Sequence, residues 1–226
     1  MIEGRLIRRY KRFLADVELG DGSVLTVHCP NSGSMRGCLG AGWPVLLSTS
    51  DNPKRKHRHT WELVHNGVCW IGINTSRTNS VVEEDLRGGS IPELASFDEL
   101  HREVGISDRS RIDFALTRGA DRTWVEVKSV TMTDDDGRFA FPDAVTSRGA
   151  KHLRELAGAI AHGDCAVMLY LIQRSDGNGF TVADDIDPGY GEMLRRAVDT
   201  GVRVLAYRAE VSPEEIRVVE RVPVEL

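Results

Sequence analysis

Long apolar segments are absent from this sequence. No run of apolar residues approaches the roughly 20 that a helix needs to cross a bilayer. The first residues also lack the apolar stretch of an export signal. We therefore expect a cytoplasmic protein that has no membrane partner.

Cysteine is scarce and scattered. The sequence has Cys29, Cys38, Cys69 and Cys165 and no C-x-x-C pair, so its spacing indicates neither a zinc ribbon nor a thioredoxin-like redox site. We interpret the four as reduced and mostly buried thiols. Cys29 follows His28, which leaves a nucleophile or a metal ligand as an alternative, although adjacent residues on a strand point to opposite faces.

Internal repeats and low-complexity segments are absent as well. The 226 residues are 41% hydrophobic and 28% charged, the balance of an ordinary globular protein. This length predicts one large domain or two modest ones. A chain of this size can bury a core without help from a disulfide or a structural metal.

Charge is distributed unevenly along the chain. Residues 1–80 carry 11 basic and 6 acidic residues, a net charge of +5, whereas residues 81–226 carry 18 basic and 28 acidic residues, a net charge of −10. Such a split favours one half that meets a polyanion and another that gathers metal ions or substrate. The alternative is an acidic protein with an incidental basic edge.

The first eighty residues have the alternation and the turn residues of short strands. Phe13, Ala15 and Val17 share one face, a Gly-Asp-Gly turn follows at 20–22, and Asn66-Gly67 joins two apolar runs as a hairpin turn. With a further strand at 43–49, five short strands predict a small closed β-barrel. The OB type, a common nucleic-acid platform, matches in size, and other five-stranded barrels fit as well.

The pattern changes after residue 75 to strands separated by helices. Leu94, Phe97, Leu100 and Val104 recur at helical spacings, residues 147–161 form an amphipathic helix, and residues 165–172 are a continuous apolar run. We therefore predict a mixed α/β sheet covered by helices. The predicted boundary near residue 85 gives a barrel domain at 1–85 and an α/β domain at 86–226.

Two predicted strands of the second domain carry the residues that suggest chemistry. Glu126 and Lys128 lie two apart on one strand and share a face. If the strand that holds Asp113 pairs antiparallel with it, Asp113 and Glu126 can meet across the ladder. Converging carboxylates favour hard cations such as Mg²⁺ or Mn²⁺, and Lys128 could orient water or hold a phosphate. The alternative is a Glu126–Lys128 ion pair and a separate Asp113–Arg111 pair.

The order of Asp, then Glu-x-Lys on the next strand, resembles the PD-(D/E)xK nuclease superfamily. Five further blocks resemble the sugar fermentation stimulation protein A (SfsA) family over nearly the whole chain: RYKRFLADV at 9–17, HCPNSGSM at 28–35, STSDNPKRK at 48–56, SRIDF at 110–114 and RGAKHLREL at 148–156. This resemblance implies an OB-like domain followed by a PD-(D/E)xK nuclease-like domain. It also implies sequence-independent DNA binding and a regulatory role in sugar (maltose) metabolism.

The resemblance also implies roles for individual residues. Asp113 and Glu126 would bind a divalent metal, Mg²⁺ or Mn²⁺, and Lys128 would be their catalytic companion. Glu103 would take the place of a catalytic acid on the helix before the Asp113 strand, with Glu99 as the alternative. Ala150 departs from the polar residue expected there, which would remove a polar contact from that helix to the substrate.

Two basic segments are candidates for nucleic-acid binding. They are Arg8, Arg9, Lys11 and Arg12 at the first turn, and Lys54, Arg55, Lys56 and Arg58 on a later loop. Clustered cations neutralise phosphates without reading bases, which suits non-specific binding to DNA or RNA. Trp61 and Trp70 could stack on unpaired bases, although a Trp on a hairpin is more often part of the core.

Two functions remain open from the sequence. The first is a DNA-binding regulatory factor that retains the fold and the metal site without turnover. The second is an active metal-dependent nuclease that hydrolyses DNA or RNA phosphodiesters. The complete Asp113, Glu126 and Lys128 set favours retained chemistry, because clustered carboxylates repel phosphate unless a cation lies between them.

Overall fold

The N-terminal domain is a closed five-stranded barrel with one additional short strand. The computed structural model describes residues 1–108 and 110–226. The barrel strands are β1 (Ile2–Tyr10), β2 (Leu14–Leu19), β3 (Val24–His28), β4 (Pro44–Thr49) and β5 (His59–His65), and β6 (Trp70–Gly72) extends the sheet beyond β5. The strand order is β3-β2-β1-β4-β5-β6, and a β3–β5 pairing closes the barrel. The predicted OB-like barrel is confirmed.

Alternation along the strands places one apolar face inside the barrel. Val17, Val27, Leu47 and Trp61 are fully buried there, as the period of two in a strand requires. The closed barrel leaves few strand edges exposed. It therefore presents rigid strands whose turns and loops can carry function.

The C-terminal domain is built on a mixed six-stranded sheet. Its strands are β7 (Glu99–Ser107), β8 (Ser110–Arg118), β9 (Asp121–Val130), β12 (Cys165–Ile172), β14 (Arg203–Val211) and β15 (Ile216–Arg221), in the order β15-β14-β12-β9-β8-β7. The pairs β9–β12 and β12–β14 are parallel and the others antiparallel. The predicted mixed sheet is confirmed.

Helices cover both faces of this sheet. They are α1 (Thr78–Gly88), α2 (Ser147–Ala161) and α3 (Pro188–Asp199), with 3₁₀ turns at Thr75–Arg77 and Pro92–Leu94. Leu156 and Leu194, from α2 and α3, pack on one face, and Leu86 from α1 packs on the other. The predicted domain boundary at residue 85 therefore falls inside α1, which packs on the second domain.

A small four-stranded sheet lies at one end of the second domain. It consists of β10 (Met132–Thr133), β11 (Phe139–Phe141), β13 (Phe180–Val182) and β16 (Val224–Glu225). Phe139 and Phe180 are buried in the same core as α2 and α3. The small sheet thus anchors the segment that leads from β11 into α2. No helix among the described residues is long and apolar enough to cross a membrane.

The helix predicted around Leu100 and Val104 is wrong, because this segment is strand β7. Leu100 packs on the α1 face of the sheet and Val104 on the opposite face. Between them Glu103 has a positive φ of 50°, so the strand changes face there. Leu100 and Val104 are four residues apart, which is also a helical spacing, and this is why the sequence pattern resembles that of a helix.

Candidate active site

Asp113 stands where strands β8 and β9 stop pairing. The regular ladder reaches Phe114 opposite Val125, and beyond it Asp113 Oδ2 accepts a hydrogen bond of 2.8 Å from the Val127 amide. Ile112 and Phe114 pack on opposite faces of the sheet, which shows that β8 breaks its alternation at Asp113. The carboxylate thus replaces a ladder bond.

Helix α1 reaches the same carboxylate. Asn79 Nδ2 donates a 2.8 Å hydrogen bond to Asp113 Oδ1. Burial and the nearby Glu126 carboxylate raise the pKa of Asp113, partly offset by the Val127 amide. The helical residue that contacts Asp113 is therefore an amide on α1. Glu103, assigned by resemblance to a catalytic helix position, lies exposed on β7.

Glu126 is the most deeply buried charged group of the site, at 2% exposure. Its Oε1 accepts a 2.5 Å hydrogen bond from Lys128 Nζ and a short contact from His152 Nδ1. Burial raises the pKa of this carboxyl, but the His152 contact and the Lys128 charge outweigh it and lower the pKa below its usual range. Glu126 is thus held as a carboxylate.

The second oxygen of Glu126 has no partner. Oε2 is buried without a hydrogen bond, and an unsatisfied buried carboxylate oxygen is costly. The residue Glu126 lines the same cleft as Asp113. A hard divalent cation between the two carboxylates would satisfy this oxygen, so these residues fit such an ion. Within residues 1–108 and 110–226, no group of three or more His, Cys, Asp or Glu side chains is placed to hold a metal ion.

His152 is a site residue that the sequence reasoning missed. It is 4% exposed, lies on α2 and contacts Glu126. Arg148, one turn earlier, donates to its Nε2 at 3.5 Å. His152 lies in the sequence block 148–156 that resembles the family, but the expected polar contact from this helix was assigned to position 150, which is Ala150. The helix instead makes a polar contact to Glu126 through His152.

The three residues Asp113, Glu126 and Lys128 line one cleft between the two domains, about 460 Å³ in volume. The barrel contributes Arg12, Asn31, Ser32 and Gly33 to its wall, and the other domain contributes residues 142–146, between β11 and α2, together with the first turn of α2 at 147–149. The sequence-predicted carboxylates and lysine are therefore brought together. The cleft that contains them is formed only when the two domains pack against each other.

The barrel wall of the cleft is the loop of residues 31–35, and Arg9 and Asp143 hold it. Arg9 donates to the carbonyl oxygens of Asn31, Gly33 and Ser34 at 2.8, 3.0 and 3.3 Å, and to that of Arg12 at 2.9 Å. A guanidinium has five N–H donors. Arg9 is therefore a clamp on this loop, and the phosphate contact predicted for it stays a prediction.

Asp143 holds the loop from the other domain. Its Oδ2 accepts a 3.0 Å hydrogen bond from the Met35 amide. Asp143 also lines the cleft between the two domains. The wall formed by residues 31–35 is therefore fixed on both of its sides.

The other predicted basic residues divide into two groups. Arg8 pairs with Asp16 at 2.9 Å, Lys11 and Arg12 form a turn with positive φ, and Arg12 lines the cleft. The basic loop is exposed at Lys54, Arg55, Lys56 and Arg58. Only the first group adjoins the carboxylates through Arg12. The structure thus places cations both at the cleft and on a separate loop.

Burial does not support base stacking by Trp61 or a nucleophilic or metal-binding role for Cys29. Trp61 is fully buried and its Nε1 donates to the Leu63 carbonyl oxygen, and half-buried Trp70 packs edge-on against His65. Cys29 is fully buried, and burial raises the pKa of its thiol. Trp61 is thus a core residue, and Cys29 lacks the access and the low pKa of a reactive thiol.

Known proteins resemble this chain over its whole length. A model of the SfsA N-terminal OB domain matches residues 7–73, and a model of the sugar fermentation stimulation protein RE domain matches residues 76–215. A sugar fermentation stimulation protein homolog of Pelobacter propionicus is 54% identical over 99% of this chain and 97% of that protein. The homolog of Geobacter sulfurreducens is 53% identical over 99% of this chain and 96% of that protein.

A solved structure shares the fold. The structure of Pyrococcus furiosus SfsA in complex with Ca²⁺ matches with a TM-score of 0.90 and 21% sequence identity. The match covers 100% of this chain and 96% of that one. The barrel and the mixed-sheet domain therefore occur together, in the same arrangement, in a distant sequence.

Proposed function

Because the chain belongs to the sugar fermentation stimulation protein A family, we propose that it binds nucleic acid without sequence preference and hydrolyses phosphodiester bonds in the interdomain cleft. The observation that carries this proposal is the buried, unpartnered Glu126 Oε2 beside Asp113. A protein that only grips phosphates gains nothing from paired carboxylates, since they repel a polyanion.

The proposal assigns a divalent cation to Asp113 and Glu126. The related Pyrococcus furiosus protein is described in complex with Ca²⁺, a hard cation that takes oxygen ligands. In this chain we propose Mg²⁺ or Mn²⁺, which would neutralise the negative charge that builds on a phosphodiester during hydrolysis. The raised pKa of Asp113 is consistent with an unneutralised pair of carboxylates.

Lys128 and His152 complete the proposed site. Lys128 Nζ lies 2.5 Å from Glu126 Oε1 and lines the cleft, where it can hold the attacking water or a phosphate oxygen. His152 fixes Glu126 from α2. In the reaction, the water oxygen bonds to phosphorus and gives up a proton, the ester P–O bond breaks, and the leaving oxygen takes up a proton.

The experiment uses the purified full-length chain with labelled single-stranded DNA, duplex DNA and RNA. Each is incubated with Mg²⁺, Mn²⁺ or chelator, for the native protein, Glu126→Gln and Lys128→Ala, with exposed Glu214→Gln as the matched control. We expect metal-dependent cleavage that Glu126→Gln and Lys128→Ala reduce about a hundredfold or more. Glu214→Gln should cleave at the native rate. Titration with Mn²⁺ should detect binding that Glu126→Gln weakens.

A second function is favoured by the separate basic loop of residues 54–58, whose cations lie outside the cleft-lining residues. In this second function, the protein binds DNA as a regulatory factor of sugar metabolism and hydrolyses no phosphodiester bond. Binding of DNA by all variants, with no cleavage under any metal condition, would establish this function and overturn the first.

A further inference from the structure

An exposed aromatic ring stands at the turn between β1 and β2. Phe13 is 46% exposed, whereas Phe114, Phe139 and Phe180 are at most 1% exposed. The Arg12 guanidinium lies 5.6 Å from the centre of the Phe13 ring, and the His28 ring lies 6.5 Å away at 53°. Nearly half of this ring is therefore available to a ligand while its neighbours limit its movement.

On one side, Phe13 adjoins the cleft. Arg12, the residue before it, lines the cleft with Asp113 and Glu126. Arg12 Nε donates a 2.8 Å hydrogen bond to the Ser32 carbonyl oxygen, which fixes Arg12 against the loop of residues 31–35. The ring thus lies next to the barrel wall of the cleft.

On the other side, Phe13 leads to the basic loop. His28 pairs with Thr60 where β3 and β5 close the barrel, and Arg55 donates a 3.1 Å hydrogen bond to Thr60 Oγ1. His57 Nδ1 lies 3.2 Å from the Thr26 carbonyl oxygen. The loop of residues 54–58 is therefore tied to the barrel next to His28.

The cations of this loop are available to an anionic ligand. Lys54, Arg55, Lys56 and Arg58 are exposed. Within the part of the chain that the structure describes, none of the four forms an ion pair with a carboxylate. A stripe of cation, aromatic ring, imidazole and cationic loop thus runs from the cleft across the barrel. We call this set, Arg12, Phe13, His28 and residues 54–58, the barrel stripe.

We propose that the barrel stripe binds a single strand of nucleic acid, with one base stacked on Phe13, the backbone along the basic loop, and the strand entering the cleft past Arg12. This inference rests on the proposed function for the role of the cleft. It goes further by naming the substrate class and the residue that selects it.

Two physical arguments favour a single strand over a duplex. Stacking on Phe13 requires a free base face, which is available in an unpaired strand and covered in a duplex. Glu126 is 2% exposed at the bottom of a cleft with walls from both domains. A lone backbone can enter such a cleft more readily than a double helix, whose two strands are held together by base pairs.

The test measures binding apart from cleavage. In chelator, fluorescence anisotropy gives the affinity of the full-length protein for oligo-dT, oligo-U and a blunt DNA duplex of equal length. We expect single strands to bind more tightly than the duplex, and Phe13→Ala to weaken single-strand binding about tenfold. Phe13→Tyr, which keeps the ring, should restore the affinity. Val68→Ala, at the exposed Val68 on another turn, should bind as the native protein does.

A second readout follows stacking directly. A strand with one 2-aminopurine should lose fluorescence on binding the native protein and Phe13→Tyr, and lose less with Phe13→Ala. Equal affinity for single strands and duplex, or native affinity and quenching in Phe13→Ala, would overturn the inference. Stronger binding of oligo-dT or of oligo-U identifies DNA or RNA as the strand. Binding is measured here without metal, so it does not depend on cleavage. If the metal-dependent cleavage assay fails and single strands still bind as expected, only the proposed function is contradicted.

Discussion

Gly33 is the residue at which the barrel loop meets the second domain. A Cβ added at Gly33 would lie 2.2 and 2.3 Å from the two carboxylate oxygens of Asp143. Asp143 cannot yield freely, because its Oδ2 accepts a hydrogen bond from the Met35 amide at 3.0 Å. Glycine is therefore required here by the close approach of a fixed carboxylate.

We expect Gly33→Ala to lower the free energy of unfolding by about 1–3 kcal/mol, because the added methyl group displaces Asp143 from Met35. Urea unfolding followed by fluorescence measures this change. The matched control is Gly20→Ala, where no atom lies within 4 Å of the added Cβ. Equal stability of the two variants would contradict a tight contact between loop and carboxylate.

At the scale of elements, the loop of residues 31–35 forms the barrel wall of the cleft through hydrogen bonds that Arg9 supplies. Arg9 donates to four carbonyl oxygens, three of them within this loop. Among the described residues, Arg5, on the same strand, donates a side-chain hydrogen bond only to the Gly42 carbonyl oxygen. Half-buried Arg9 and exposed Arg5 therefore differ in structural role although both carry the same charge.

Arg9→Ala should lower the free energy of unfolding by roughly 1–3 kcal/mol, since charged hydrogen bonds to the loop are lost. Arg5→Ala, the control, should change it by much less. If Arg9 is a clamp, the slope of log affinity against log salt for single-stranded DNA should be unchanged in Arg9→Ala. A slope reduced by about 0.7, the value for one lost phosphate contact on a single strand, would show that Arg9 binds phosphate.

At the scale of the whole molecule, the segment after β12 joins the two domains. The Gly72 amide of the barrel donates to the Gln173 carbonyl oxygen at 3.0 Å, and Asn66 Nδ2 donates to Asp176 Oδ2 at 2.5 Å. Arg174, 4% exposed, pairs with Asp176 at 2.6 Å. Breaking one member of this cluster leaves a buried charge without its partner.

Asp176 makes domain packing sensitive to acid. Burial raises the pKa of its carboxyl, but hydrogen bonds from Arg174 and Asn66 outweigh burial and lower the pKa to about 2. The unfolded chain therefore binds this proton at a higher pH than the folded chain does. The stabilisation is complete above the unfolded pKa of about 3.9 and is lost as the pH falls toward about 2.

We expect Asp176→Asn to be less stable than the native protein by about 2 kcal/mol at pH 6, and by less than about half of that at pH 2.5. Urea unfolding at both pH values measures the two differences. Asp51→Asn, at an exposed carboxylate on the barrel, serves as the control. Its stability difference from the native protein should be the same at both pH values. If the stability difference between Asp176→Asn and the native protein is the same at both pH values, the Arg174–Asp176 ion pair does not contribute to the pH dependence of stability in acid.

Sequence patterns predicted the features that depend on neighbouring residues. Turn residues and alternation gave the barrel, because a strand repeats every two residues whatever lies opposite it. Continuous apolarity predicted β12, whose residues after Cys165 are buried on both faces. Asp113, Glu126 and Lys128 were chosen because charged groups on apolar strands need partners.

Tertiary structure alone decided the surroundings of those residues. The sequence by itself determined a β-barrel followed by a mixed α/β sheet, and two carboxylates with a lysine. Only packing placed His152 on Glu126 and Asn79 on Asp113, turned the segment around Glu103 into a strand, and set the loop of residues 31–35 over the cleft. These contacts join residues that are far apart in the sequence. The spacing of neighbouring residues does not determine which distant side chain packs against them.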